Sequence, residues 1–175
     1  GIDFSTWYVC VHVRESGFRN DHGRREYRNS SIINYIPAIK AITDAGGVVI
    51  RMGDSTMTPL PELPNVIDYP FSPQKSPLLD LYLIKYCRFY LGTDSGLMDT
   101  AEMFLKDTLL TNMVHWMFVY PLRKKDRGIY KHVYSKAHGR YLTFQEVLCA
   151  DWKLQNVFGN IDDNYELTEN TAEDI

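Results

Sequence analysis

The sequence predicts an α/β fold: a parallel sheet with helices on both faces. Three observations predict it. Short apolar runs of strand formers alternate with longer stretches of helical periodicity along the chain. The first run, Trp7-Tyr-Val-Cys-Val-His-Val-Arg14, is almost continuously apolar, as a strand buried on both faces of a parallel sheet must be. Later, Phe89-Tyr-Leu runs into Gly92-Thr-Asp-Ser-Gly96 and a helical pattern starts at once, so a strand feeds a tight turn into a helix N-terminus.

The elements follow in order. Residues 15–30 are polar, arginine-rich and aperiodic, which is a loop. Asn29, Ser30 and Ser31 are good caps, and Ile32, Ile33, Ile36, Ile39, Ala41 and Ile42 then make a helical stripe. Pro37 should kink that helix or mark an early turn, and Gly46-Gly47 ends it. Val48–Ile50 reads as a short buried strand. Residues 52–64, with Gly53, Pro59, Pro61 and Pro64, read as a loop, and Val66–Tyr69 as a weak strand. Leu78, Leu79, Leu81, Leu83 and Ile84 place a helix over 76–86, ahead of a strand at Arg88–Leu91. A helix from Ser95 to Lys106 and a strand at Leu109–Met113 come next. Residues 115–140 are mixed: Met117–Tyr120 is expected to be extended and Arg123–Arg127 a solvated loop. Thr143 caps a short helix over Phe144–Ala150. The chain divides into a domain over 1–159 and an acidic, frayed tail over 160–175.

The bulk properties narrow the function. A chain of 175 residues with 45% hydrophobic and 23% charged side chains supports one globular core. The net charge of −3 is uneven: residues 151–175 carry seven acids and one base, leaving +3 on the first 150. A mildly basic core suits a small anionic ligand; a nucleic-acid duplex needs a larger basic surface. Cys10, Cys87 and Cys149 are far apart in apolar contexts, which fits free buried thiols in a reducing cytoplasm and supports no zinc site. No apolar run of transmembrane length occurs. Gly1 is neither an initiator Met nor the start of a signal-peptide pattern, so the chain reads as an excised domain of a longer protein.

Ligands of such sheets bind at the carboxyl ends of the strands, where the two best motifs lie. In the first, the turn Gly92–Gly96 points free backbone N–H groups and a positive helix end at one place, which favours a phosphate at Ser95 and Gly96. Glu102 is two helical turns beyond Ser95 on the same face, about 10 Å along the axis, and is the candidate for a ribose contact. The alternative is an ordinary helix whose Asp94 or Ser95 satisfies only its own backbone. In the second motif, His12 and Arg14 point to one side of a strand end. Arg14 can donate a forked pair of hydrogen bonds to a diphosphate, and His12 can orient Arg14 or touch the ligand; the alternative is that Arg14 pairs with Glu15 or Glu26 and His12 is a satisfied core histidine. The basic loop Arg19, Arg24, Arg25 and Arg28 either folds over an anion or is a solvated surface, with Arg25 and Arg28 the residues to test. Asp54, after the second strand, either reads a base or ribose or makes a turn with Gly53. No histidine has metal-ligand spacing with acids.

Tyr90-Leu-Gly-Thr-Asp-Ser-Gly96 resembles the phosphate-binding turn in the donor half of GT-B glycosyltransferases, and is similar to the turns of heptosyltransferases and UDP-N-acetylglucosamine 2-epimerases. His12-Val-Arg14 resembles the strand-end motif of fucosyltransferases that use GDP-fucose. Residues 8–150 look like a family of bacterial glycosyltransferases found with surface-polysaccharide genes. The resemblance implies a Rossmann-like domain that is one half of a GT-B fold, with a nucleotide-diphosphate sugar as donor substrate and no cofactor or metal. It implies a glycan or lipid-linked acceptor, a separate N-terminal acceptor domain, and a site of action in the cytoplasm or peripheral at the inner membrane. Arg14 would hold the donor phosphate and act catalytically by stabilising charge on the departing diphosphate; Ser95 and Gly96 would bind it, and Glu102 would contact ribose. Two departures leave the donor open: Asp99 stands where heptosyltransferases usually have His, and Leu97 where the epimerase has a second Gly. A nucleotide-sugar epimerase or hydrolase, or a nucleotide-binding domain without catalysis, is the alternative.

Overall fold

The computed structural model describes residues 6–18, 26–114, 123–149 and 163–175. Among them, six strands form one sheet: β1 (Tyr8–His12), β2 (Val48–Arg51), β3 (Val66–Asp68), β4 (Tyr90–Gly92), β5 (Thr108–Met113) and β6 (Arg127–Tyr130). Their order is β3-β2-β1-β4-β5-β6 and every pairing is parallel. This is the Rossmann-like α/β fold expected from the alternation of strand and helix patterns, with the order of the dinucleotide-binding folds.

Residues that alternate along β1 enter two different apolar layers, because successive side chains of a strand point to opposite faces. Val9, Val11 and Val13 join Val49, Leu91, Ile32, Tyr35 and Ile39 under helix α1 (Ile36–Asp44). Cys10 joins Ile50, Tyr90, Leu110, Ile84, Met98 and Ala101 under α2 (Pro77–Tyr86) and α3 (Gly96–Met103). The central strands are therefore apolar on both sides.

Pro37 turns out to mark an early turn. A 3-10 turn over Ile32–Tyr35, capped by the Ser31 hydroxyl, precedes α1. Pro37 then occupies the first turn of α1, where a missing N–H costs nothing. Helix α3 stops at Met103, short of the expected Lys106, as the chain turns at Phe104-Leu105.

Two corrections concern the last third of the chain. The stretch expected to be a solvated loop gives way at Arg127 to β6, which completes the large sheet. Beyond it, β7 (His132–Ser135), β8 (Arg140–Tyr141) and β9 (Tyr165–Thr168) form a small antiparallel sheet in the order β8-β7-β9, beside α4 (Phe144–Cys149). Residues 163–175 are thus part of the fold and not a frayed tail. Leu167 packs with Val133 and Val147, Ile175 packs against the α1 layer, and Asn170 is buried. Two acids of this segment have partners: Glu169 accepts from the Ser31 amide at 2.8 Å and Asp174 pairs with His132 at 3.1 Å. Cys10 and Cys87 are buried as expected, but Cys149 is exposed. Met117–Tyr120 and residues 150–162 lie outside the described residues. No helix of the described chain is long and apolar enough to cross a membrane.

Candidate functional site

Strand order reverses direction between β1 and β4: the chain leaves β1 toward β2 on one side and leaves β4 toward β5 on the other. A crevice opens at the carboxyl ends of these two strands, where ligands of open α/β sheets bind. It is a cleft of about 660 Å³ lined by residues that include His12, Arg14, Arg28, Asp54, Ser95 and Gly96.

Strands β1 and β4 approach each other closely at its floor. The position of a Cβ on Gly92 is 1.9 Å from the carbonyl oxygen of His12, so only glycine lets the two strands pair here. Beyond them, the Arg14 amide donates to the Thr93 hydroxyl at 2.9 Å, which joins the two turns that form the cleft. The Arg14 guanidinium donates to the Asn29 side chain. The Asn29 carbonyl in turn accepts from Lys131 Nζ at 2.6 Å. Lys131 is buried, which lowers its pKa, while Glu169 and Asp94 act in the opposite direction. Arg28 reaches across to the β4 turn and donates to the carbonyl of Asp94 at 3.1 Å and to its carboxylate at 3.2 Å. Asp94 is thereby neutralised, so its charge opposes an anion in the cleft less than its position suggests.

Opposite Arg14, α3 begins. The Gly96, Leu97 and Met98 amides have no acceptor among the described residues; the first helical bond runs from Asp99 N to Ser95 O at 3.1 Å. Among the described residues, a Cβ built on Gly96 meets nothing within 4 Å, so the space beside this residue is open. The Ser95 hydroxyl lies 3.2 Å from His12 Nδ1 and 3.4 Å from the Tyr90 hydroxyl. Burial, then Arg51, push the His12 imidazole down to about 4 against a pull from Asp54, with a smaller push from Arg14, so it is neutral near pH 7.

The second wall comes from the loop after β2. Asp54 faces the cleft and also makes the turn that was its alternative reading: its carboxylate accepts from the Thr56 amide at 2.9 Å and from the Thr56 hydroxyl. Arg51, fully buried, holds this loop against its neighbours by donating to Glu15 at 2.8 Å, to the Thr58 carbonyl at 2.7 Å and to Asp68 at 3.1 Å.

His12, Arg14, Asp54, Asp94, Ser95 and Gly96 are thus brought together, and Arg28 with them. Glu102 is not among the cleft-lining residues. Its helical phase matches Ser95, but two turns of axial rise carry it away to the side where burial, Asp126 and Asp99 raise its pKa and Arg123 lowers it. Arg25 lies outside the described residues. Sequence reasoning missed Asn29, Lys131, Met57, Lys75 and Asp80; the last three line the cleft. Met57 sits in the proline-rich loop after β2, whose position at a strand end was the available signal. Among the described residues no three His, Cys, Asp or Glu side chains converge as metal ligands.

The fold and this cleft define a Rossmann-like α/β protein with a crevice, lined by side chains of both charges, at the switch point of its sheet. Comparison with protein-family models, curated proteins and solved structures finds no match to this chain.

Proposed function

We propose that this chain is the donor-binding domain of a glycosyltransferase, one half of a GT-B fold, that moves a sugar from a nucleotide-diphosphate sugar to a glycan or lipid-linked acceptor in bacterial surface-polysaccharide synthesis. The observation that supports this most is that Arg14 and the bare amides at the start of α3 border the same cleft. A diphosphate seated between them meets a guanidinium on one side and a positive helix end on the other. Both strengthen their hold as negative charge grows on the departing diphosphate, which is the electrostatic contribution expected of Arg14. Asp54 and the loop after β2 border the cleft beyond that point and are available to the nucleoside. In this reading Asp94 acts through Arg28, and Glu102 has no ligand to touch. The acceptor and its domain belong to the N-terminal half implied by the sequence resemblance.

A thermal-shift panel of GDP, UDP, ADP and CMP sugars tests the reading directly, and stabilisation by a sugar nucleotide identifies the base. Arg14→Ala is expected to weaken that nucleotide by about 10- to 150-fold in calorimetry, the loss of one charge-assisted contact. Unchanged affinity removes Arg14 from the site. Free sugar or an epimer released without acceptor favours the epimerase or hydrolase alternative.

A further inference from the structure

Ser95 stands at the N-cap of α3 but makes no capping bond. A serine there ordinarily accepts from the amide two or three residues on, here Leu97 or Met98. Its hydroxyl is instead turned to the floor of the cleft, toward His12 Nδ1 at 3.2 Å and the Tyr90 hydroxyl at 3.4 Å. Both partners are fixed by the sheet. His12 closes β1 and Tyr90 opens β4, and both are buried. In the tautomer with Nδ1 unprotonated, the Ser95 hydroxyl donates to His12 and its oxygen can accept from the Tyr90 hydroxyl.

We propose that His12 is a positioning residue that keeps α3 uncapped. By holding the Ser95 hydroxyl it leaves the Gly96, Leu97 and Met98 amides bare for a tetrahedral oxyanion. This rests on the donor-binding reading, in which that oxyanion is a phosphate of the nucleotide. The phosphate brings several acceptor oxygens to donors that the protein has left unsatisfied, and the open space over Gly96 gives it room. His12 then serves the site without touching the ligand. Its removal would free Ser95 to rotate and cap its own helix, a competitor built into the same turn.

The test uses four forms of the protein: wild type, His12→Leu, Ser95→Ala and the double variant. Inorganic pyrophosphate is the probe, its affinity measured by calorimetry; amide hydrogen exchange at Leu97 and Met98 is followed without it. His12→Leu should slow exchange at one of these amides and weaken pyrophosphate, each about tenfold, the worth of one cap. Adding Ser95→Ala should restore affinity to within about threefold of Ser95→Ala alone, because no hydroxyl is left to compete. A double variant that binds no better than His12→Leu, or exchange that does not slow, overturns the proposal. Wild-type protein that ignores pyrophosphate overturns the donor-binding reading, while the exchange data still decide whether His12 holds Ser95. If His12→Leu does not fold, His12→Phe keeps a ring and drops both nitrogens.

Discussion

Gly92 and Gly96 answer to different constraints. A methyl on Gly92 collides with the backbone of β1, whereas a methyl on Gly96, which lines the cleft, meets none of the described residues within 4 Å. Gly92→Ala should therefore destabilise the fold, by about 1–3 kcal/mol, as the central strands are forced apart. Gly96→Ala should leave the urea midpoint unchanged or raise stability by up to about 1 kcal/mol, since alanine is the better helix residue. It should nonetheless lose affinity for pyrophosphate, because the methyl occupies the space an anion needs. Unaltered pyrophosphate affinity in Gly96→Ala would show that the open space over this turn is not used. At this scale much of the site was legible: Arg14, Ser95 and Gly96 announce themselves at strand ends, where chemistry-bearing residues stand out against apolar runs. The contacts between them were not. His12 and Ser95 are 83 positions apart, and Asn29 meets Lys131 across 102; no local pattern encodes such pairs. Glu102 shows the limit of helical phase, which gives the face of a residue but not how far along that face a ligand extends.

Among the elements, the central strands and the edge strand β3 were legible, and the edge strands β6 and β9 were not. The apolar runs of β1, β2, β4 and β5 follow from burial on both faces. By contrast, β6 reads Arg-Gly-Ile-Tyr and has no residue buried, so it lacks a periodic signal. The same holds for β9, whose Glu166 and Thr168 gave an acidic stretch the appearance of a tail. Besides its strand pairing and apolar packing, Asn170 ties this last segment to β5 and β6. The Asn170 amide donates to Asn112 Oδ1 at 2.7 Å, its own Oδ1 accepts from the Asn112 amide at 2.6 Å, and its Nδ2 donates to the Tyr130 carbonyl at 2.9 Å. Asn112 has φ of 54°, a left-handed residue within β5 whose buried amide Asn170 satisfies. Asn170→Ala strips the partner from that buried amide. At about 1–3 kcal/mol for a buried group left unsatisfied, the variant should lose roughly that much by urea denaturation. A loss below about 0.5 kcal/mol would mean the segment can detach without consequence.

For the molecule as a whole, the sheet order places the cleft, and segments from both ends of the chain support it. Glu169 holds the Ser31 amide and the Asn34 side chain, next to the residues that carry Asn29. The buried histidine at the centre of this arrangement has a consequence for the pH dependence of stability. His12 has a pKa of about 4 in the folded protein, against 6.5 ordinarily, so between these values the unfolded chain binds a proton that the folded one refuses. Its contribution is therefore complete above pH 6.5 and is lost progressively as the pH falls to about 4. The full loss is on the order of 3 kcal/mol. Asp126 adds a loss of the same sign at lower pH. Despite burial, Arg123 and the Thr108 and Arg123 amides hold it below its usual range. That loss is common to wild type and His12→Leu, so it cancels when the two are compared. Urea midpoints measured from about pH 7.5 down to 4.5 should fall more steeply for wild type than for His12→Leu. Parallel curves would mean that His12 takes up its proton inside the fold, and a charged imidazole could not then accept the Ser95 proton at Nδ1.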